Sequence, residues 1–207
     1  MLKVYKNSVI DIIFLNSITL DKMKKLPVYN IVLGDRDGIS KMSLVEFPAV
    51  EKNFMAFEEQ QPLQFSINED EHIVFGPSLR ANFPIYRFNQ TIGEFYVVFT
   101  EEVIKQLYEK FMIEQKFNNV NLDHSIDTKG VYLIQSFLKD ENNGINPKGF
   151  EECDNGSWFT AYKIENNDVW QAVKNGKFNG FSIELFADLE ITEPKNDLEQ
   201  LIDELIS

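Results

Sequence analysis

Residues 94–116 constrain the fold more than any other stretch, because a strand-like run and a helical periodicity meet there at a single residue. Glu94 to Phe99 (EFYVVF) is aromatic and β-branched, the composition of a buried strand. At Thr100 the pattern changes: Glu101 and Glu102 follow a capping hydroxyl, and Val103, Ile104, Leu107, Tyr108 and Phe111 recur at three and four residues. The spacing predicts a helix that starts at Thr100 and ends near Lys116. With 43% hydrophobic and 26% charged residues the chain has the composition of an ordinary globular protein, so collagen-like, coiled-coil-only and fully disordered readings are excluded.

Most of the remaining signals are strands. Lys3 to Leu15 and Val28 to Leu33 read as strands, and Gly34-Asp35-Arg36-Asp37-Gly38 reads as the turn of a hairpin leading to Ile39 to Val45. The Asp-x-Asp-Gly fragment in that turn resembles the start of a calcium loop, but the later ligands and the distal Glu are missing at the required spacing. Glu58 to Glu71 reads as an acidic linker or long loop with a strand at Leu63 to Ile67. Val131 to Leu138 and Trp158 to Ile164 read as strands, the second preceded by the turn Asp154-Asn155-Gly156. Asn167 or Asp168 is expected to cap a short helix, Val169 to Asn175, that Gly176 closes, and Phe181 to Ile191 alternates as a final strand. The fold class is α+β with β dominant.

A chain of 207 residues fits one domain with appendages. The expected division is an N-terminal β-rich region or arm, 1–60, a main domain, 61–191, and a C-terminal tail, 192–207. Residues 188–207 carry seven acids against Lys195, so -6 of the formal charge of -13 sits in the last twenty residues. After Pro194 the tail places Leu198, Leu201, Ile202 and Leu205 at helical spacing, a short amphipathic helix that needs a partner surface or its own core to form.

The charge also limits function. A net -13 has the wrong sign for gripping nucleic acid by its phosphates, so no nucleic-acid partner is expected. The single cysteine, Cys153, excludes an internal disulfide framework and points to an intracellular protein; its acidic neighbours Glu151, Glu152 and Asp154 disfavour the thiolate a nucleophile needs. Apolar runs such as Val9 to Leu15 are far too short to span a bilayer, and no membrane partner is expected. Two histidines, His72 and His124, stand 52 positions apart without zinc-site spacing, and no glycine-rich phosphate loop is present. No metal or cofactor is therefore implied.

Two residues can carry chemistry. His124, in Asn121-Leu122-Asp123-His124-Ser125-Ile126-Asp127, lies beside carboxylates in a polar turn, where an imidazole can shuttle protons or simply hold a loop by hydrogen bonds. Ser182, in Asn179-Gly180-Phe181-Ser182-Ile183-Glu184, follows a glycine that lets the backbone bend; it reads either as a nucleophile or as a polar residue on an alternating strand. Without a second glycine the segment is not a nucleophile elbow.

Taken in order, several segments resemble a known family. They are Ile73-Val74-Phe75-Gly76-Pro77-Ser78-Leu79, Pro84-Ile85-Tyr86-Arg87, the run EFYVVFTEEVIKQL, Asn121 to His124, Gly156-Ser157-Trp158-Phe159, Asp168 to Gly176 and Gly180 to Glu184. The order resembles the serine proteases of tailed phages and defective prophages, a branch of the prohead maturation proteases distantly related to herpesvirus assemblin. Met42-Ser43-Leu44-Val45-Glu46-Phe47-Pro48-Ala49 is similar to a segment often found near the start of such proteins. The resemblance covers roughly residues 40–187. It implies an assemblin-like protease core across 61–191, with His124 as general base and Ser182 as nucleophile of a serine endopeptidase. It further implies scaffold and major capsid proteins of a prohead as partners and substrates, self-cleavage, a homo-oligomer, and a location inside the assembling prohead in the host cytoplasm. A structural virion protein that keeps the fold without the chemistry is the other reading it leaves open.

One departure is visible. Assemblin-type enzymes use a second histidine after the serine, and this chain has none there. The orienting role would fall to a carboxylate, to a backbone carbonyl or to nothing, unless His72 folds back. Glu184 shares a strand face with Ser182 by the two-residue period, whereas Asp123, next to His124, would point to the opposite face.

Overall fold

The computed structural model describes residues 26–34, 37–46, 64–91, 93–186 and 190–191. In chain order the elements are β1 (Val28–Val32), β2 (Gly38–Val45), β3 (Ser66–Asn68), β4 (Ile73–Leu79), β5 (Ile85–Asn89), β6 (Gly93–Val98) and α1 (Glu101–Ile113). They continue with β7 (Val120–Leu122), β8 (Ile126–Asp127), β9 (Val131–Leu138), β10 (Trp158–Ile164), α2 (Asn167–Lys174), β11 (Gly180–Phe186) and β12 (Glu190–Ile191), with single 3-10 turns at Lys116–Asn118 and Glu141–Asn143. The protein is α+β and β-rich. Among the described residues the strands form three four-stranded sheets, ordered β12-β1-β6-β5, β3-β4-β10-β9 and β11-β2-β7-β8. β1 with β6 and β2 with β7 are parallel pairs; the other pairings are antiparallel.

The sheets share one apolar core with α1. Ile104, Leu107 and Phe111 form its buried stripe, at the three- and four-residue spacing the sequence shows. Phe111 packs edge-on to Trp158 of β10, ring centroids 5.2 Å apart, and the Trp158 indole N–H donates to Ser136 Oγ at 2.9 Å, which settles its polar atom. Met42 and Leu44 of β2 and Val120 of β7 face the same core, so the opposite face of this sheet carries the alternate residues Ser43 and Asn121. Thr100 is the N-cap of α1, accepting from the Val103 N–H. Among the described residues no helix is long and apolar enough to cross a membrane.

The structure corrects three local expectations. Gly34 and Asp37 do close a turn, with Asp37 N–H donating to Gly34 O at 3.1 Å and Gly34 N–H to the Asp37 carboxylate at 2.8 Å, but β1 and β2 form no hairpin. β1 pairs with β6 and β12, and β2 with β7 and β11. Turn chemistry reverses the chain locally; it does not choose a strand's neighbours, and a strand as buried as β2 needs one on each edge. Phe181 to Ile191 is likewise two strands, with β11 in the sheet of β2 and β12 paired to β1. The cap of α2 is Asn166, one residue before the expected pair, its side chain accepting from Asp168 and Val169 N–H.

β1 and β2, expected within the N-terminal region 1–60, are built into sheets whose other strands come from residues beyond 60. The strand expected at Lys3 to Leu15 and the amphipathic helix of the tail lie outside the described residues.

Candidate active site

The polar face of the sheet β11-β2-β7-β8 gathers the residues that can carry chemistry. Ser182 of β11 stands opposite Ser43 of β2, and Ser43 stands opposite Asn121 of β7, so three polar side chains form one row across three adjacent strands. All three are buried: Ser43 is 0% exposed, Asn121 2% and Ser182 7%. Two residues along β11, on the same face as Ser182, lies Glu184.

His124 reaches this row from the turn between β7 and β8. Asp123 and His124 both have positive φ, 47° and 55°, the sign a primed turn requires at its central positions, and Ser125 N–H closes the turn on Leu122 O at 3.0 Å. Asp and His tolerate this left-handed backbone better than most residues, and such conformations concentrate at functional sites. A further tether holds the turn: Asp123 N–H donates to Leu44 O, and the Asp123 carboxylate accepts from Glu46 N–H at 3.0 Å. The Asp123 side chain thus binds the end of β2, not the imidazole.

In this pose His124 Nε2 lies 3.0 Å from Ser182 Oγ. The other ring nitrogen, Nδ1, lies 2.9 Å from Ser43 Oγ and 3.4 Å from Glu184 Oε1. Behind them Ser43 Oγ contacts Asn121 Oδ1 at 2.5 Å, and Asn121 Nδ2 contacts Glu184 Oε1 at 2.5 Å. Ser40 Oγ donates to Glu184, to its backbone oxygen at 3.2 Å and to Oε2 at 3.4 Å. It can do so because the register between β11 and β2 shifts after Glu184, leaving Ser40 as an extra residue on β2. A hydroxyl on one imidazole nitrogen, with a hydroxyl and a carboxylate at the other, can pull the proton from Ser182 and balance the imidazolium that results.

His124, Ser182 and Glu184 are therefore brought together. His72 belongs elsewhere: it sits in the turn between β3 and β4 with φ of 52°, stacked on Trp170 at 4.4 Å, and supplies no second imidazole contact to His124. Cys153 is buried in a satellite cluster with Phe150 and Phe159. Burial is the main cause that pushes its thiol up to about 11; Glu152 and Asp154 add to this, while Arg80 and Lys139 oppose it. Ser43 and Asn121 escape the sequence reading because an isolated Ser or Asn on a strand looks like any solvent-facing residue. The available signal was Ser43 inside the apolar run Met42-Leu44-Val45.

Neither a curated protein nor a solved structure matches the chain. Residues 89–191 match the family model described as "Putative phage serine protease XkdF". That segment contains His124, Ser182, Glu184 and Asn121, and leaves Ser43 to be supplied from β2. By this match, residues 89–191 belong to the phage serine protease family.

Proposed function

We propose that the chain is a serine endopeptidase of phage prohead maturation, with Ser182 as nucleophile, His124 as general base and Glu184 as the charge facing the imidazolium. The observation that carries this reading is the 3.0 Å contact of His124 Nε2 with Ser182 Oγ, with Nδ1 turned toward Ser43 and Glu184. His124 Nε2 takes the hydroxyl proton as Ser182 Oγ attacks a peptide carbonyl. The peptide C–N bond then breaks, the amine leaves with the proton from the imidazolium, and water releases the acyl group from Ser182 by the reverse proton path. The β-rich core, 61–191 together with β1 and β2, is read as assemblin-like. The substrates are the scaffold and major capsid proteins of an assembling prohead in the host cytoplasm, and the chain itself.

The test is cleavage of co-expressed scaffold and capsid protein, read beside covalent labelling of Ser182 by a fluorophosphonate. Ser182→Ala and His124→Ala each abolish both signals while far-UV circular dichroism is unchanged. Cleavage that survives Ser182→Ala overturns the assignment. A native chain that neither labels nor cuts is instead a structural virion protein on a protease fold.

A further inference from the structure

Every hydrogen-bonding group behind His124 has a fixed or limited role, and together these roles dictate which ring nitrogen carries the proton. Glu184 as a carboxylate only accepts, so the Asn121 amide must turn its NH2 toward Oε1, 2.5 Å away. That places Asn121 Oδ1, an acceptor only, against Ser43 Oγ at 2.5 Å, and the single Ser43 proton is committed to it. Ser43 Oγ then has lone pairs alone to offer His124 Nδ1 at 2.9 Å, so Nδ1 must be the donor. A neutral imidazole holds one N–H; its Nε2 is left as a lone pair facing Ser182 Oγ at 3.0 Å.

We propose that Ser43 and Asn121 are positioning residues that carry the polarity of the Glu184 carboxylate to His124 and hold its imidazole in the Nδ1–H tautomer, the one able to take the Ser182 proton. This rests on the catalytic roles given above, but the tautomer itself does not. The two relay residues are buried in the middle of β2 and β7, where water cannot substitute for a missing link. The direct approach of Glu184 to Nδ1, at 3.4 Å, is longer than the Ser43 contact, so the hydroxyl holds the proton in the neutral state. The chain can be reversed only if its acidic end can donate. Glu184→Gln can do so: its amide N–H donates a hydrogen bond to Asn121 Oδ1, Asn121 turns its NH2 to Ser43, and Ser43 donates to Nδ1, leaving Nε2–H against Ser182 and no base.

The chain contains two histidines, so 15N-histidine NMR of the full-length protein resolves both rings, and the His124→Gln spectrum identifies the one that matters. In the native protein His124 shows the pattern of an Nδ1–H, Nε2-lone-pair ring. Ser43→Ala, which leaves Nδ1 only the 3.4 Å approach of Glu184, shifts that pattern to a mixture with Nε2–H, Glu184→Gln replaces it with Nε2–H, and the fluorophosphonate labelling of each falls at least tenfold. A native His124 in the Nε2–H form, or a tautomer unchanged in both variants, overturns the relay. An Nδ1–H ring that depends on Ser43, in a protein whose Ser182 never labels, supports the relay and defeats the peptidase reading instead.

Discussion

Cys153 shows that the position of a group can outweigh its charged neighbours. Among those neighbours Glu152 and Asp154 push the thiol up while Arg80 and Lys139 pull it down, so burial decides the direction and the thiol titrates near 11. Below pH 9.0, the thiol's ordinary value, it is neutral in both folded and unfolded chains; from there to about 11 only the unfolded chain ionises, so stability falls as pH rises through that window. At pH 8 iodoacetamide should alkylate the native protein about a hundredfold more slowly than the urea-unfolded chain, the factor that two pKa units imply. Comparable rates would show that Cys153 is exposed. A second single-residue constraint lies nearby. Gly156 adopts φ of +79°, and a Cβ there would stand 2.7 Å from Glu101 Cβ and Cγ at the start of α1. Gly156→Ala should therefore destabilise the fold by about 1–3 kcal/mol in urea titrations, because backbone strain and the clash act together. An unchanged midpoint would mean that the turn and α1 can separate freely. The Asp154-Asn155-Gly156 turn is legible in sequence because its chemistry is local, whereas the nearness of Glu101 is not.

α1 braces the candidate site from the core side. Its buried stripe of Ile104, Leu107 and Phe111 meets the core that also holds Met42 and Leu44, the residues flanking Ser43 on the reverse face of β2. Lys110 adds a polar tie by donating to Asp37 O at 2.5 Å, at the turn that leads into β2. Phe111 is fully buried and touches both Trp158 and Phe117 edge-on, with centroids at 5.2 and 6.0 Å. Phe111→Ala should cost about 3–5 kcal/mol by chemical denaturation, because the cavity it leaves is walled by β10 and cannot collapse easily. A loss below about 1 kcal/mol would show that α1 contributes little to the core. The elements themselves were largely readable from sequence: strand composition ends and helical spacing begins at Thr100, and β9, β10 and α2 lie close to where periodicity puts them. Partners were not. The turn at Gly34 to Asp37 looked like a hairpin because its residues favour chain reversal, yet pairing is set by distant strands that bury both edges of β2. The bulge at Ser40, which aims a hydroxyl at Glu184, leaves no local trace either.

At the scale of the whole molecule the candidate site is a meeting of three remote segments. Ser43 lies 81 positions from His124, and His124 lies 58 from Ser182. His124 and Ser182 each carry a local cue, a polar turn and a preceding glycine, that by itself leaves a structural role open; the family resemblance gave them catalytic roles, and the two-residue period then put Glu184 on the face of Ser182 as one candidate partner. Ser43 and Asn121 become meaningful only once β2 is seen to lie between β11 and β7, which no local pattern encodes. The same topology limits what the family-matched segment can do by itself. Residues 89–191 contain β7 and β11 but not β2, the strand that joins them, nor β4, which pairs with β10. Without β2, β7 and β11 share no partner, Met42 and Leu44 are missing from the core, and His124 loses the hydroxyl at Nδ1. A fragment of residues 89–191 should therefore show no cooperative urea transition and no fluorophosphonate labelling, whereas the full chain shows both. Co-expression with residues 1–88 should restore labelling at Ser182, since the missing strand returns with its side chains. A fragment that folds cooperatively and labels alone would mean that β2 is dispensable, and that Ser43 plays no part in holding His124.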